Sequence, residues 1–570
     1  MKKTKILLIF IIFCITSSSA LFLFAAFAQI PEVDVDQATR EIDRSVREEA
    51  EKKIERPPKK VPEIKEEEKE EEEEIEGPKF FVKTIKLEGV KSIALKELRP
   101  IVEKYENRKV TLGELKTLAK EIEREYLKRG IIAACFVPPQ DVKDGVVVLR
   151  VVEAKMGALK VDEHKYFGKD RIAYYWHTKP GEVLRYDEMS RDLQRMNKNP
   201  DRDVNATLHA GAKPGTTDVL IEADTRFPVH PFFTFDTEGS RSTGKARTGF
   251  GVKHNNFLLC DDTLLVGYTF GKDFSGTYAY HSIPITNVGT SLFYGYSDSK
   301  AIPKKEFSQF DIRSRSQSVS FFLHQDIFKK DEYLGEFSLG LDAKDKTSTA
   351  NTGTINRDRL RILRISTNLI HKFAGTVTYI NPQFSQGLNL FGARRKSGFS
   401  SRSAENTFTK FNLGIRHRRA LPLNLQVNLN LKYQFASERL TPLEQYSLGG
   451  LDSVRGYPSG DYLADNAVQT NVELLIPAFF IPEYLKLPKA ERSLKDNITG
   501  VLFFDQGYGE KRGVLTTEKT RASLASVGAG LRMRLYNKAV LRLEWGFPVG
   551  DKPLTETANS RFHISLNVEF

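Results

Sequence analysis

The side chains able to do covalent or metal chemistry are few in this chain and poorly spaced for it. Ten histidines are spread over 570 residues, with neither a Gly-x-Ser-x-Gly nucleophile turn nor a His-Glu-x-x-His zinc helix. Beyond an apolar N-terminal stretch that contains Cys14, only Cys135 and Cys260 remain. They fall in different expected domains, so separate thiols are anticipated, and no metal site can be built from them. The nearest match to a nucleotide motif is GSRSTGKA (239–246), with Gly239, Gly244 and Lys245 at P-loop spacing. A P-loop needs Ser or Thr after the lysine to hold Mg²⁺, and a helix to meet the phosphates. Here Ala246 follows, and then the strand-like RTGFGVKHNN. No enzyme, no cofactor and no metal are therefore expected. His417 and His563 stand in alternating runs, where an imidazole facing a wet interior is the plain reading.

One pair of segments carries chemistry suited to a different task. LDSVRGYPSGDY (451–462) separates two alternating runs, VNLNLKYQF (427–435) and QTNVELLIPAF (469–479). Glycines at 449, 450, 456 and 460 make a compact, sharply turned loop easy to build around Arg455. In GVLFFDQG (500–507), Asp505 interrupts an apolar strand on the face that parity assigns to an interior. A guanidinium fork holds a carboxylate through two hydrogen bonds, fixing orientation as well as charge. A loop tucked into a water-filled barrel would be anchored in that way.

Positioning such a pair requires the barrel itself. From about Phe232 to Phe570 helical patterns nearly vanish and short alternating runs take over. FHISLNVEF (562–570) sets Phe562, Ile564, Leu566, Val568 and Phe570 against His563, Ser565, Asn567 and Glu569. GEFSLGLDAK (335–344) and KFNLGIRHR (410–418) behave alike. A soluble sandwich alternates too. An export signal, aromatic residues at strand ends and a last strand finishing in Phe570 favour the outer membrane. A membrane strand takes about 9–11 residues, and about sixteen fit in this region. The hydrophobic fraction of 40% and a negative mean hydropathy argue against a helical membrane protein.

The N-terminal part divides further. MKKTK, the apolar residues 6–27 and the small-x-small Ala26–Ala28 predict a signal peptide over 1–28, cleaved after Ala28. Residues 29–56 contain a helix pattern at 35–55, with Val35, Ala38, Ile42, Val46, Ala50 and Ile54 on one narrow stripe. Residues 57–78 are a Pro-rich and acidic linker, with ten glutamates between Glu63 and Glu76. Such a run repels itself and buries no core. A helix on a leash of this kind suits a movable pore plug. Residues 79–155 and 156–226 read as two small α+β units. In the first, Thr111 and Glu114 form a capping box before the stripe Leu115, Leu118, Ile122 and Tyr126, and Gly130 stops the helix. Units of this type leave sheet edges open, and an open edge accepts an extended peptide as an added strand. The net charge of +12 drops to about +9 when Lys2, Lys3 and Lys5 leave with the signal. That balance suits an anionic lipid surface, and nucleic acid is not expected as a partner.

SVRGY on a long loop followed by FFDQG on a later strand resembles the signature pair of the outer-membrane polypeptide-transport and assembly superfamily. The resemblance implies that Val454, Arg455, Gly456 and Tyr457 belong to an inward-folded loop. It implies that Phe503, Asp505 and Gly507 belong to the barrel motif that receives it. RGIIAACFVPPQDVKDGVVVLRVVE and DLQRMNKNPDRDVNATLHAGAKPGTTDVLIE resemble the POTRA units of TpsB transporters, the hemolysin-activator type of two-partner secretion. Ala154 departs from that pattern, which has Gly after the glutamate. The resemblance covers essentially the whole mature chain. It implies a mainly β protein: two POTRA domains in the periplasm, a barrel of about 16 strands in the bacterial outer membrane, and an N-terminal helix with linker. The implied function is export of a large TpsA-like partner of the hemolysin, hemagglutinin or adhesin class, from a monomeric pore served by periplasmic delivery factors. The alternative is an insertase or assembly factor of the same superfamily acting on other barrel proteins.

Overall fold

Side-chain alternation closes the C-terminal region on itself. In the computed structural model, sixteen antiparallel strands run from Val229–Asp236 to Arg561–Glu569, each paired with its sequence neighbours and the last with the first. The structure describes residues 64–66 and 78–570, apart from 143, 163–164, 330–332, 394, 396–398, 487, 489–492, 517 and 537. The expected signal peptide, N-terminal helix and most of the acidic linker lie outside the described residues. In the thirteenth strand, Ile498–Glu510, Leu502 and Phe504 face outward while Phe503 and Asp505 face inward. In the last strand Phe562 is exposed and His563 buried. The outward set, which includes Phe250, Val319, Phe321, Val472 and Trp545, is the apolar band that hydrocarbon covers. Among the described residues no helix is long and apolar enough to cross a membrane.

The strands are unequal. The sixth, seventh and eighth (Arg313–Lys329, Tyr333–Ala350 and Gly353–Phe373) have 17, 18 and 21 residues. That exceeds the roughly 9–11 a bilayer requires, so this side of the barrel stands proud of it. Closure is shorter. The first and last strands pair only from Phe232↔Glu569 to Asp236↔Ser565. Phe570 extends the seam by one bond, its N–H donating to the Pro231 carbonyl at 3.0 Å.

Ahead of the barrel sit the two α+β units. In the first, Thr84–Glu88, Val146–Glu153 and Ala133–Phe136 form a sheet in the order first, third, second along the chain, under the helices Leu95–Val102 and Leu112–Lys128. The capping box is complete: Glu114 N–H donates to Thr111 Oγ1 at 3.1 Å and Thr111 N–H to Glu114 Oε2 at 2.8 Å. Leu115, Leu118, Ile122 and Tyr126 are fully buried. The segment FFVKTIKLEG forms two strands rather than one. The Gly145 carbonyl takes the N–H groups of both Lys83 and Thr84, bending the chain so that Phe80–Val82 pairs with Arg108–Val110 instead. At the edge of this unit Glu153 accepts from Ser92 N–H and Oγ, both at 2.6 Å, and from Lys91 N–H at 3.0 Å. Burial pushes the Glu153 carboxyl up, but these bonds outweigh it and hold the group below the usual range.

The second unit holds Lys155–Val161, the helices Lys169–Ala173 and Tyr186–Met196, and the strands Arg202–Ala210 and Thr216–Thr225. Its edge differs from the open one expected. Ile64–Glu66, from the acidic linker, lies parallel to Arg202–Ala210 and pairs with Ala206, Thr207 and Leu208. A joint of polar groups ties the unit to the barrel's periplasmic turns. Arg202 donates to Asp261 at 2.9 and 3.1 Å, and Asp201 receives Asn255 Nδ2 at 2.7 Å.

Candidate functional site: a loop moored inside the barrel

Between the eleventh strand, Gln426–Ala436, and the twelfth, Asn466–Pro477, the chain does not simply turn. A small hairpin of Tyr446–Leu448 with Tyr462–Ala464 carries its tip down into the lumen. The descent begins at Gly449 and Gly450, whose φ angles of +101° and +99° are comfortable only for glycine. Leu448, Val454, Tyr457, Tyr462 and Ala464 pack on the inner-wall residues Ala467, Ala522 and Leu524. The Tyr457 hydroxyl donates to the Asp551 carbonyl at 2.7 Å, and Asp461 receives Thr555 N–H at 2.8 Å. The tip is thereby fixed before any charge is considered.

Arg455 lies at the centre, 2% exposed. Its Nε and Nη2 fork Asp505 at 2.8 and 2.6 Å, and its backbone N–H reaches the same carboxylate at 3.0 Å. Nη1 bridges Glu473 at 2.7 Å and Glu544 at 2.9 Å, and the guanidinium lies 3.5 Å over the Phe503 ring. A second row balances these acids. Arg532 binds Glu473 at 2.6 Å and Glu544 at 2.9 Å, and Arg542 binds Glu544 at 3.2 Å. Arg542 also reaches Asp452 of the loop at 3.3 Å, so three guanidinium groups face four carboxylates. Buried charges are tolerable under that condition, each fully paired and hydrogen-bonded. Behind the loop, His563 Nε2 donates to the Arg455 carbonyl at 2.6 Å, and its Nδ1 faces Glu238 at 2.7 Å.

Glycine sets how near the loop comes to the wall. A Cβ on Gly456 would stand 2.7 Å from the Pro548 nitrogen, and one on Gly546 would stand 2.6 Å from the Arg455 carbonyl carbon. These two glycines face each other, so backbone meets backbone. A Cβ on Gly507 would meet Leu448 at 2.8 Å and Val454 at 3.0 Å. All seven residues expected of the loop and barrel motifs come together. Phe570 sits apart from them at the seam, 61% exposed. Glu473, Glu544, Arg532, Arg542 and Glu238 complete the cluster without having been anticipated, and His563, expected to face the interior, joins them. Their signal was parity: Glu473 in NVELL and Glu544 in LRLEWG break apolar runs just as Asp505 does.

What this geometry describes is a lumen occupied by a part of the chain that is held by packing and ion pairs. The fold class is a bacterial outer-membrane transport barrel with POTRA units on its periplasmic side. The model of the haemolysin secretion/activation protein family ShlB/FhaC/HecB matches residues 215–533, and that of the ShlB-type POTRA domain matches residues 80–154. The heme/hemopexin transporter protein HuxB of Haemophilus influenzae (strain 86-028NP) is 22% identical over 486 residues, covering 82% of this chain and 83% of HuxB. The outer membrane transporter CdiB of Escherichia coli O6:K15:H31 is 24% identical over 424 residues, 71% of each chain. The solved structure of CdiB from Escherichia coli matches with a TM-score of 0.69 at 20% identity, covering 96% of this chain and 100% of that one. The chain belongs to the ShlB/FhaC/HecB haemolysin secretion/activation family. It is an outer-membrane transporter that exports a partner protein by two-partner secretion.

Proposed function

We propose that the cargo is a large, β-rich protein of the haemolysin, haemagglutinin or adhesin class, and that Arg455 with Asp505 forms the lock that keeps the loop seated in the pore. The observation carrying this reading is the ion cluster around Arg455: it is internal, and beside its pairs within the wall it ties a loop to three wall carboxylates. Recognition falls to the units at 79–155 and 156–226, where an extended partner adds as a strand at a sheet edge. Main-chain pairing gives affinity with few demands on side chains. At the edge of Arg202–Ala210 it would first have to displace Ile64–Glu66. No nucleotide site is expected from the sequence, so direction is assigned to the partner folding outside, which withdraws exported segments from back-sliding. The helix-patterned segment at 35–55, which lies outside the described residues, is assigned the role of a plug that leaves the lumen on its leash.

The decisive experiment co-expresses this chain with candidate large, secreted, β-rich partners and measures each partner at the cell surface. Export that survives removal of residues 79–226 would sink the recognition step. Conductance of the reconstituted pore unchanged by deleting residues 33–56 would sink the plug.

A further inference from the structure

The long loop also makes a second set of charged contacts, on a different wall. Glu444, in the turn just before the hairpin, is 3% exposed. Its Oε1 lies 2.8 Å from Arg364 Nη2 and 3.0 Å from Lys344 Nζ, and its Oε2 lies 2.5 Å from Lys410 Nζ. Lys410 and Gln434 also donate to its backbone carbonyl, at 3.0 and 3.2 Å. Next to this socket Leu440 and Leu443 pack on Leu360, Ile362, Phe408 and Ala436. The cations belong to the seventh, eighth and tenth strands, whereas the acids around Arg455 belong to the twelfth, thirteenth and fifteenth. One loop thus puts a cation into an acidic wall and an anion into a basic wall.

We infer that Glu444 is a second, independent mooring of opposite polarity, which positions the upper arm of the loop across the lumen, and that the loop leaves the pore only when both seats open. The charge count argues for this over plain packing. One carboxylate, Glu444, is shared by three cations, and Arg364 has a further acid, Asp342, at 2.5 Å. With Glu444 withdrawn each of the three cations would lose a partner, and Arg364 would keep Asp342. Breaking a buried pair is strongly unfavourable, because one set of charges is left uncompensated. Water must then enter and solvate Lys344, Arg364 and Lys410 as lumen-lining cations. The state of this seat is therefore written into the ion preference of the pore. The inference refines the lock proposed for Arg455, but conductance needs no partner protein, so it is tested separately from export.

Glu444→Gln keeps the shape and removes the charge. In planar bilayers, with insertion checked by heat-modifiable mobility, it should raise the equilibrium for unseating by about a hundred-fold or more and shift permeability toward anions. Lys344→Gln with Lys410→Gln empties the wall side instead. That variant should also open the pore, but shift permeability toward cations. The swap Glu444→Lys with Lys410→Glu should return open time toward wild type. A purely structural role predicts neither the opposite signs nor the rescue. Unchanged open time in Glu444→Gln, or the same direction of shift in both neutralised variants, overturns the inference. Should Glu444→Gln fail to insert, the wall variant decides: wild-type gating there overturns it.

Discussion

Replacing Arg455 by alanine separates the three carboxylates it touches, because their alternatives differ. Glu473 keeps Arg532, and Glu544 keeps both Arg532 and Arg542. Asp505 loses both side-chain bonds of its fork and retains only neutral donors: Asn471 Nδ2 at 2.8 Å, Ser526 Oγ at 3.3 Å and the backbone N–H of residue 455. The uncompensated charge therefore falls on Asp505. Leaving a buried ion without its partner costs about 3–5 kcal/mol. At about 1.4 kcal/mol per decade, the loop's seated population should fall by about two to three and a half powers of ten relative to the unseated one. Limited proteolysis of intact cells should cut the loop in Arg455→Ala and spare it in wild type. Secretion should be abolished or sharply reduced while the barrel still inserts. Adding Asp505→Asn removes the stranded charge, so the double variant should regain thermal stability without regaining secretion. Full protection of the loop and wild-type export in Arg455→Ala would refute the reasoning. So would a double variant no more stable than the single one.

Gly546→Ala leaves every charge in place but drives a methyl group into the Arg455 backbone. Overpacking of this kind costs about 1–3 kcal/mol, so a weaker version of the Arg455→Ala protease pattern is expected. In the first POTRA unit, Glu153 has its carboxyl held below the ordinary value in the folded state. The folded state then binds fewer protons than the unfolded one. This contribution is present above the unfolded value of about 4.3 and is lost as pH falls through the lower folded one. Acid titration of Glu153→Gln followed by circular dichroism should show a shallower loss of stability in that window than wild type.

Much of the barrel can be read from the sequence because a two-residue period survives locally. His563 lies inside and Phe562 outside for the same reason that Asp505 and Phe504 part company. The helix Leu112–Lys128 is equally plain, its cap and its stripe being written within five turns of chain. The ion cluster is not local. Glu473 pairs across the sheet with Phe503, and Arg532 with Arg542, and only this register brings Glu473, Arg532 and Glu544 to one level of the lumen. The division at Lys83 depends on a carbonyl more than sixty residues away, at Gly145. Glu444 sits in TPLEQ, an ordinary turn whose neighbours on three strands cannot be inferred from it. Covering of the second unit's edge by Ile64–Glu66 depends on a linker whose composition speaks only of solvation.

That covering strand also has a direction. Arg202, the first residue of the strand it lies against, is fastened to the barrel turn through Asp261, so Ala210 marks the far end of the sheet. Parallel pairing places Ile64 toward the barrel and Glu66 away from it. A cargo segment that took over this berth with the same polarity would present its amino end to the mouth of the pore and trail its carboxyl end behind. The order in which such a cargo passed through the membrane would then be the order in which the ribosome made it.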